Sequence, residues 1–113
     1  NALRPFVPEE PDLFITKSVN SAFYGEPDLH GWLTVRGIGS VAICGVQTNM
    51  CCETTARMAG NLGYDTWFVL DATHTFDLEG PDGVVIPAED LARTTAANLH
   101  GEFATVVRTE ELL

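Results

Sequence analysis

The 113-residue sequence predicts a three-layer, Rossmann-like α/β fold, in which a parallel sheet carries helices on both faces. Apolar runs of β-forming residues alternate with segments of helical spacing, in the order strand, helix, strand, helix, strand, helix, strand. The clearest run, SVAICGV over residues 40–46, is continuous and typical of a strand buried on both faces. Short connections between these segments imply parallel strands joined by right-handed crossovers.

The first two predicted elements precede this strand. Residues 12–17, DLFITK, form a β-rich run after a proline-rich opening and predict a strand. A helix is then predicted to open with Gly25, Pro27 and Asp28. Its apolar residues lie near helical spacing, and Gly37 and Gly39 end it.

A second helix is predicted over residues 48–62, directly after the strand at 40–46. Thr48 or Asn49 is available as the N-cap, and Gly63 stands where a helix commonly stops. The turn between residues 46 and 51 therefore joins a strand to the start of a helix.

The last part of the chain repeats the alternation. Residues 65–71 predict a strand, and residues 72–87 a long loop rich in Gly, Asp and Pro. Pro87 is placed at the first position of a helix that runs to about Leu99. A final strand over residues 103–108 follows, and Thr109 can cap a short closing turn.

Composition limits the class of partner. Six basic residues stand against 16 acidic ones, giving a net charge of −10. A pI near 4.4 without a basic run argues against nucleic acid or an anionic membrane surface. No apolar stretch approaches the roughly 20 residues that span a bilayer, and no secretory signal is visible. Three cysteines, two of them adjacent, do not resemble a secreted disulfide framework, so we expect a cytoplasmic protein.

Ligands of parallel sheets bind outside the carboxyl ends of the strands, which indicates three candidate clusters. They are Lys17 after the first strand, residues 47–52 after the second, and residues 71–76 after the third. We expect all three to face one crevice.

Cys51 is the candidate nucleophile, because the turn delivers its thiol to the start of a helix. The helix dipole and free N–H groups there favour a thiolate and can bind an oxyanion. The alternative is that Cys51 is a small buried hydrophobic residue. We expect Cys52 to turn into the core and Cys44 to pack within its strand. A Cys51–Cys52 disulfide is disfavoured by geometry.

Lys17 is the second candidate, since it is the only lysine of the chain. Its ammonium either projects into the crevice, where it would stabilise negative charge, or extends into solvent.

Residues 45–72, GVQTNMCCETTARMAGNLGYDTWFVLDA, resemble the signature of the isochorismatase-like cysteine hydrolases, which include nicotinamidases and N-carbamoylsarcosine amidohydrolase. Upstream, Lys17 followed by the SAF of residues 21–23 is similar to a second segment of that family. The resemblance implies Cys51 as nucleophile and Lys17 as the lysine of a catalytic triad. It also implies a cis peptide between Val46 and Gln47, which aims the Gln47 N–H, with that of Cys51, at the oxyanion. Isochorismatases proper carry glycine at the nucleophile, so Cys51 favours hydrolysis of a C–N bond in a small amide or ureido compound.

The family's third catalytic residue, an Asp that ends its first strand, has no counterpart in the opening NALRPFVPEEPD. We therefore expect residues 1–113 to be the C-terminal portion of a single domain, whose first strand and Asp lie on another segment or a separate N-terminal fragment. A homo-oligomer that takes a small amide substrate is expected. The alternative is a non-catalytic scaffold or ligand-binding module of the same fold.

Other side chains receive smaller roles. Pocket candidates, each of which could equally be core, are Phe23, Tyr24, Trp32, His74 and Phe76. His30 and His100 are expected at the surface of helices, so the histidines form no recognisable metal set, and no cofactor is expected. Arg57 is expected to pair with Glu53, four residues before it, or with Asp71.

Overall fold

A parallel three-stranded sheet and a two-stranded hairpin organise the protein in the computed structural model, which describes residues 10–113. The opening of the chain, residues 1–9, lies outside the described residues. In chain order the elements are α1 (Leu29–Val35), β1 (Ser40–Val46), α2 (Glu53–Asn61), β2 (Asp65–His74), β3 (Leu78–Glu79), β4 (Val85–Ile86), α3 (Ala88–Leu99), β5 (Thr105–Val107) and α4 (Thr109–Leu112).

The main sheet has the order β1-β2-β5, with both pairs parallel as predicted. The antiparallel pair β3 and β4 lies within the segment predicted as a loop. The turn between these strands is tight, because the Gly83 N–H donates to the Gly80 carbonyl at 3.0 Å. The signal for this hairpin was the Pro-Asp-Gly sequence at residues 81–83, which is typical of a turn.

One face of the sheet carries the main core. Ile43, Phe68 and Val106 from the three strands pack with Ala56 of α2 and Leu99 of α3. A second cluster joins Val41 of β1 to α1 and α2. The three longer helices therefore cover the same face.

The opposite face of the sheet is largely open in the described part of the chain. Alternate residues of β1, from Ser40 through Val46, are exposed, and Trp67 of β2 is also exposed. The expectation that β1 is buried on both faces is therefore wrong for residues 10–113. The short helix α4 lies beside β2, where the Thr109 N–H of α4 donates to Asp71 of β2 at 2.8 Å.

The strand predicted at residues 12–17 is also absent. Thr16 and Glu26 exchange two backbone hydrogen bonds of 2.8 Å as an isolated antiparallel bridge, and the rest of the segment is irregular. Phe14 is 78% exposed, so the segment has too little packing to continue this pairing as a ladder.

Glycines end the first two helices as predicted. Gly37 and Gly63 have φ values of 69° and 92°, a region that glycine enters without steric cost. After each of them a backbone N–H returns to the last turn: Ile38 donates to Leu33, and Tyr64 donates to Ala59, both at 3.0 Å.

Helix starts differ from prediction by one or two residues. A single π-helical turn, Thr48–Cys52, precedes α2, and Gln47 rather than Thr48 or Asn49 is its N-cap. Pro87 caps α3 instead of starting it, and the carboxylate of Asp77 accepts the Ala88 N–H at 2.8 Å.

Within residues 10–113, no helix combines the length and apolar character that crossing a membrane requires.

Candidate active site

Cys51 lies on the turn that follows β1, at one edge of the sheet. The peptide bond between Val46 and Gln47 is cis. The Gln47 carbonyl then accepts the N–H groups of Met50 and Cys52, at 3.2 and 3.1 Å, which starts the helical turn. Single π-turns of this kind are frequent at functional sites. The turn leaves the Cys51 side chain half-buried.

The Lys17 ammonium meets this thiol. Lys17 Nζ is 3.2 Å from Cys51 Sγ and also donates to the Val19 carbonyl at 3.0 Å. The thiol lies 3.6 Å from Asn20 Oδ1, which gives it a weak acceptor when protonated. Lys17 therefore lines the crevice beside the thiol while the residue stays exposed to solvent, and a cation at this distance stabilises a thiolate.

A cavity of about 370 Å³ opens beside the two groups. It is lined by Lys17, Ala22, Ala42, Ile43, Cys44, Gly45, Val46, Cys51, Cys52 and Thr55. Lys17 carries the only formal charge in this part of the lining. The cavity can therefore hold a small, largely neutral molecule next to the thiol.

The other two cysteines differ from Cys51. Cys52 is buried in the main core, as expected, and burial, with the neighbouring Cys44 and Cys51, raises its pKa to about 11 despite the opposing effect of Lys17. It stays a thiol at neutral pH. Cys44 is exposed on the open face of β1, so the expectation that it packs within the strand is wrong. All three cysteines are free.

Hydroxyl groups of β2 hold the turn that carries Cys51, and sequence reasoning missed them. Thr48 Oγ1 donates to Thr73 Oγ1 at 2.7 Å, and Thr73 donates to the Leu70 carbonyl, also at 2.7 Å. Thr75 donates to Asn49 Oδ1 at 2.5 Å. The alternating threonines after residue 71 were the available signal.

The third predicted cluster splits between two places. His74 lines a separate cavity of about 330 Å³ with Val46 and Asp71, and its ring meets Phe76 edge to face at 4.8 Å. Asp71 instead binds α4, accepting the N–H and hydroxyl of Thr109 at 2.8 and 2.9 Å. Partial burial opposes ionisation of Asp71, but the Thr109 bonds and Arg108 outweigh it and lower its pKa below 3.8.

The remaining aromatic candidates do not line the Cys51 cavity in the described residues. Phe23 is buried and stacks on Tyr64 at 5.7 Å, so it belongs to the core. Tyr24 is 66% exposed, and Trp32 lies under the guanidinium of Arg36, 3.9 Å from it.

Two histidines and one acid have structural partners. His30 is half-buried, rather than at the surface, with Nδ1 2.7 Å from the Tyr64 hydroxyl. His100 accepts the Val106 N–H at 3.1 Å. Glu53 binds Arg57 at 2.9 Å, which decides between the two expected partners of this arginine. Among residues 10–113, no group of three His, Cys, Asp or Glu side chains could hold a metal ion.

Comparison with known proteins identifies a family. The sequence model described as Isochorismatase domain matches residues 2–111. The chain is 39% identical to the isochorismatase family protein YrdC of Bacillus subtilis over 94% of this chain and 56% of that protein. It is 37% identical to Nicotinamidase 3 of Arabidopsis thaliana over 90% and 46%. It is 33% identical to ureidoacrylate amidohydrolase RutB of Methylobacterium radiotolerans over 88% and 34%.

Solved structures give the same result. A hydrolase of the isochorismatase family from Chromobacterium violaceum superimposes with a TM-score of 0.85 at 32% identity, over 93% of this chain and 54% of that one. A cysteine hydrolase from Pseudomonas syringae gives 0.84 at 29% identity, over 94% and 49%. The α/β fold with a parallel sheet that the sequence predicts is thereby confirmed. The chain spans about half the length of these proteins.

Proposed function

The chain belongs to the isochorismatase family, and on that premise we propose that it acts as a cysteine hydrolase on a C–N bond of a small amide or ureido compound. The observation that carries the proposal is the 3.2 Å approach of Lys17 Nζ to Cys51 Sγ at the mouth of a cavity. Relatives named nicotinamidase and ureidoacrylate amidohydrolase support this class of substrate.

Cys51 is the proposed nucleophile. Its thiolate sulfur bonds to the carbonyl carbon of the substrate, and the carbonyl electron pair moves to oxygen. The N–H groups of Gln47 and Cys51 bind this oxyanion, and the Lys17 ammonium stabilises the negative charge. When the C–N bond breaks, the nitrogen leaves with a proton as ammonia or an amine, and a thioester on Cys51 remains.

Water completes the cycle. Hydroxide from water adds to the thioester carbon, the C–S bond breaks, and the acid product leaves with Cys51 restored. Both half-reactions need a group that takes a proton from the thiol or from water and supplies one to the leaving nitrogen. Within residues 10–113, the hydrogen bonds of Lys17 and Cys51 go to each other, Val19 and Asn20, and none to a carboxylate.

We place that general acid and base on a segment additional to residues 10–113. In this proposal residues 1–113 are the C-terminal portion of one domain, and an N-terminal segment or separate fragment supplies the Asp. Two features of β1 support the idea. It is an edge strand of the sheet, and alternate side chains along it, Val46 among them, are exposed. Edge strands of this kind are normally covered by another part of the protein.

The proposed setting follows from charge and thiol chemistry. A net charge of −10 argues against nucleic acid and anionic membrane partners. Three free cysteines fit a reducing cytoplasm. We also propose that the protein forms a homo-oligomer. Sedimentation of the purified protein would give the number of subunits.

Ammonia release from a panel of carboxamides and ureido compounds tests the function, in an assay that includes the segment proposed to supply the Asp, with the acylated enzyme trapped and located by mass spectrometry. The expected result is a thioester on Cys51 alone, with activity lost in Cys51→Ala and retained in Cys52→Ala. Turnover by Cys51→Ala would overturn the proposal. If no amide is turned over and iodoacetamide labels Cys51 no faster than free cysteine, the chain is a non-catalytic scaffold instead.

A further inference from the structure

The turn that carries Cys51 is fastened to the end of β2. Thr48, three residues before Cys51, donates its hydroxyl to Thr73 at 2.7 Å. Asn49, the next residue, accepts from Thr75 at 2.5 Å. Because Thr73 and Thr75 are alternate residues, both side chains leave the chain on the same side. Two consecutive residues of the turn are thus held by one segment.

Thr73 reaches the turn because β2 is irregular there. Ile43 pairs with Phe68, but Gly45 pairs with Thr73, so β2 takes five residue steps where β1 takes two. The Thr73 hydroxyl closes this bulge by donating to the Leu70 carbonyl at 2.7 Å. Its oxygen remains to accept from Thr48. The hydroxyl therefore links the bulge of β2 to the turn after β1.

Burial makes this link hard to replace. Thr48 is 1% exposed, so water cannot take the place of its acceptor. Leaving a buried hydroxyl without a partner costs its full desolvation energy, and the turn can avoid that cost only by moving. A shift of about 1 Å near reacting atoms can reduce a rate by roughly a hundredfold.

We propose that Thr73 is a positioning residue for Cys51, a role that rests on the proposed cysteine chemistry. Thr73 fixes the turn from the β2 side, whereas Lys17 contacts the thiol from the preceding loop. The distance between Cys51 Sγ and Lys17 Nζ, 3.2 Å, therefore depends on the Thr48 to Thr73 bond. The titratable groups that line the cavity around this thiol are Lys17, Cys44 and Cys52.

The test compares Thr73→Val with Thr73→Ser in the purified protein. Valine keeps the shape and removes both hydrogen bonds, whereas serine keeps them. Thr66→Val is the matched control, because Thr66 is also a buried threonine of β2 and donates to the Tyr64 carbonyl at 3.2 Å, away from the turn. The readouts are the iodoacetamide rate at Cys51 across pH, the melting temperature, and kcat and KM on any amide that is turned over.

Thr73→Val is expected to lower the Cys51 alkylation rate at least fivefold across the measured pH range. It should lower kcat more than it raises KM. Thr73→Ser should show the wild-type pH profile of Cys51 alkylation. Thr66→Val should melt at a lower temperature than wild type but keep the wild-type alkylation profile. A wild-type pH profile in Thr73→Val overturns the inference.

Thr48→Val serves if Thr73→Val does not fold, because it breaks the same bond but leaves the Thr73 to Leu70 bond in place. A wild-type pH profile of Cys51 alkylation in Thr48→Val would also overturn the inference. Absence of amide turnover by the wild type, assayed with the segment proposed to supply the Asp, would instead overturn the proposed function. The rates of Cys51 alkylation in the variants would still test whether Thr73 positions Cys51.

Discussion

Lys17 Nζ lies 3.2 Å from Cys51 Sγ although 34 residues separate them in the chain. Lys17 reaches this position from an irregular segment, not from the end of a strand. One bond from its ammonium to the Val19 carbonyl, at 3.0 Å, holds the head group locally while another N–H faces the thiol. The pair thus joins the only lysine of the chain to the cysteine at the start of a helix.

Replacing this lysine should make the thiol less reactive. In Lys17→Met we expect the iodoacetamide rate at Cys51 near pH 7 to fall at least tenfold, because an opposite charge within about 4–6 Å stabilises the thiolate. Amide hydrolysis should fall by roughly a hundredfold or more. Arg93→Met is the control, since Arg93 is highly exposed and pairs with Asp90 at 3.5 Å, away from the thiol. Equal alkylation rates in Lys17→Met and wild type would contradict the pairing.

Cys52 should make the protein sensitive to alkali. Its folded pKa of about 11 lies above the ordinary 9.0, because burial disfavours the thiolate. Between these values the unfolded state loses the proton more readily, so stability falls as pH rises from about 9 to 11. Urea unfolding measured across this range should show the decline, and Cys52→Ala should flatten it. Cys44→Ala is the control, because Cys44 is exposed, and should keep most of the decline, since burial is the largest cause of the raised Cys52 pKa. An identical slope in Cys52→Ala would refute the assignment.

Asp71 should make the protein sensitive to acid, whereas Cys52 makes it sensitive to alkali. Its pKa is lowered, so the contribution is complete above about 3.8 and is lost as pH falls through the folded value. Asp71→Ala removes the acceptor for the Thr109 N–H and hydroxyl and should cost about 1 kcal/mol near neutral pH, after allowance for solvent screening.

The measurement is urea unfolding of Asp71→Ala and wild type between pH 2 and pH 7. The difference in free energy of unfolding should narrow at the acid end. Asp90→Ala is the matched control, because the Asp90 side chain is exposed and pairs with Arg93 at 3.5 Å. If the difference in free energy of unfolding between Asp71→Ala and wild type stays constant down to pH 2, the charge of Asp71 does not contribute to stability.

Gly60 should not tolerate a side chain. A Cβ there would lie 2.6 Å from the Phe103 carbonyl oxygen and 2.9 Å from Phe103 Cα, both in the backbone. Gly60→Ala should therefore destabilise the protein by about 1–3 kcal/mol, although alanine favours a helix.

Gly31→Ala in α1 is the comparison for Gly60. Its Cβ would meet the carboxylate of Asp28, 2.6 Å away, which can rotate. Chemical denaturation should show that this variant is as stable as wild type or gains up to about 1 kcal/mol. Equal effects of the two substitutions would show that the approach of α2 to Phe103 does not limit packing.

The sequence alone determined the class of fold, the limits of β1 and the placing of Cys51. Glycine at residues 37 and 63 ends helices by a local preference of the backbone, so those ends could be predicted. Strand and helix segments could also be predicted, because the spacing of apolar side chains is a local property of the sequence. Their alternation, with short connections, then predicted parallel strands. The candidate nucleophile followed from its place between a strand and a helix.

The tertiary structure decided which groups Cys51 meets and which face of the sheet is covered. Thr73 reaches Thr48 only because β2 is irregular, and Asp71 turns to Thr109 because α4 packs beside it. Likewise Phe23 enters the core by stacking on Tyr64, which its own segment does not reveal. Such contacts join residues far apart in the chain, and periodicity carries no information on them, because they depend on where separate elements meet.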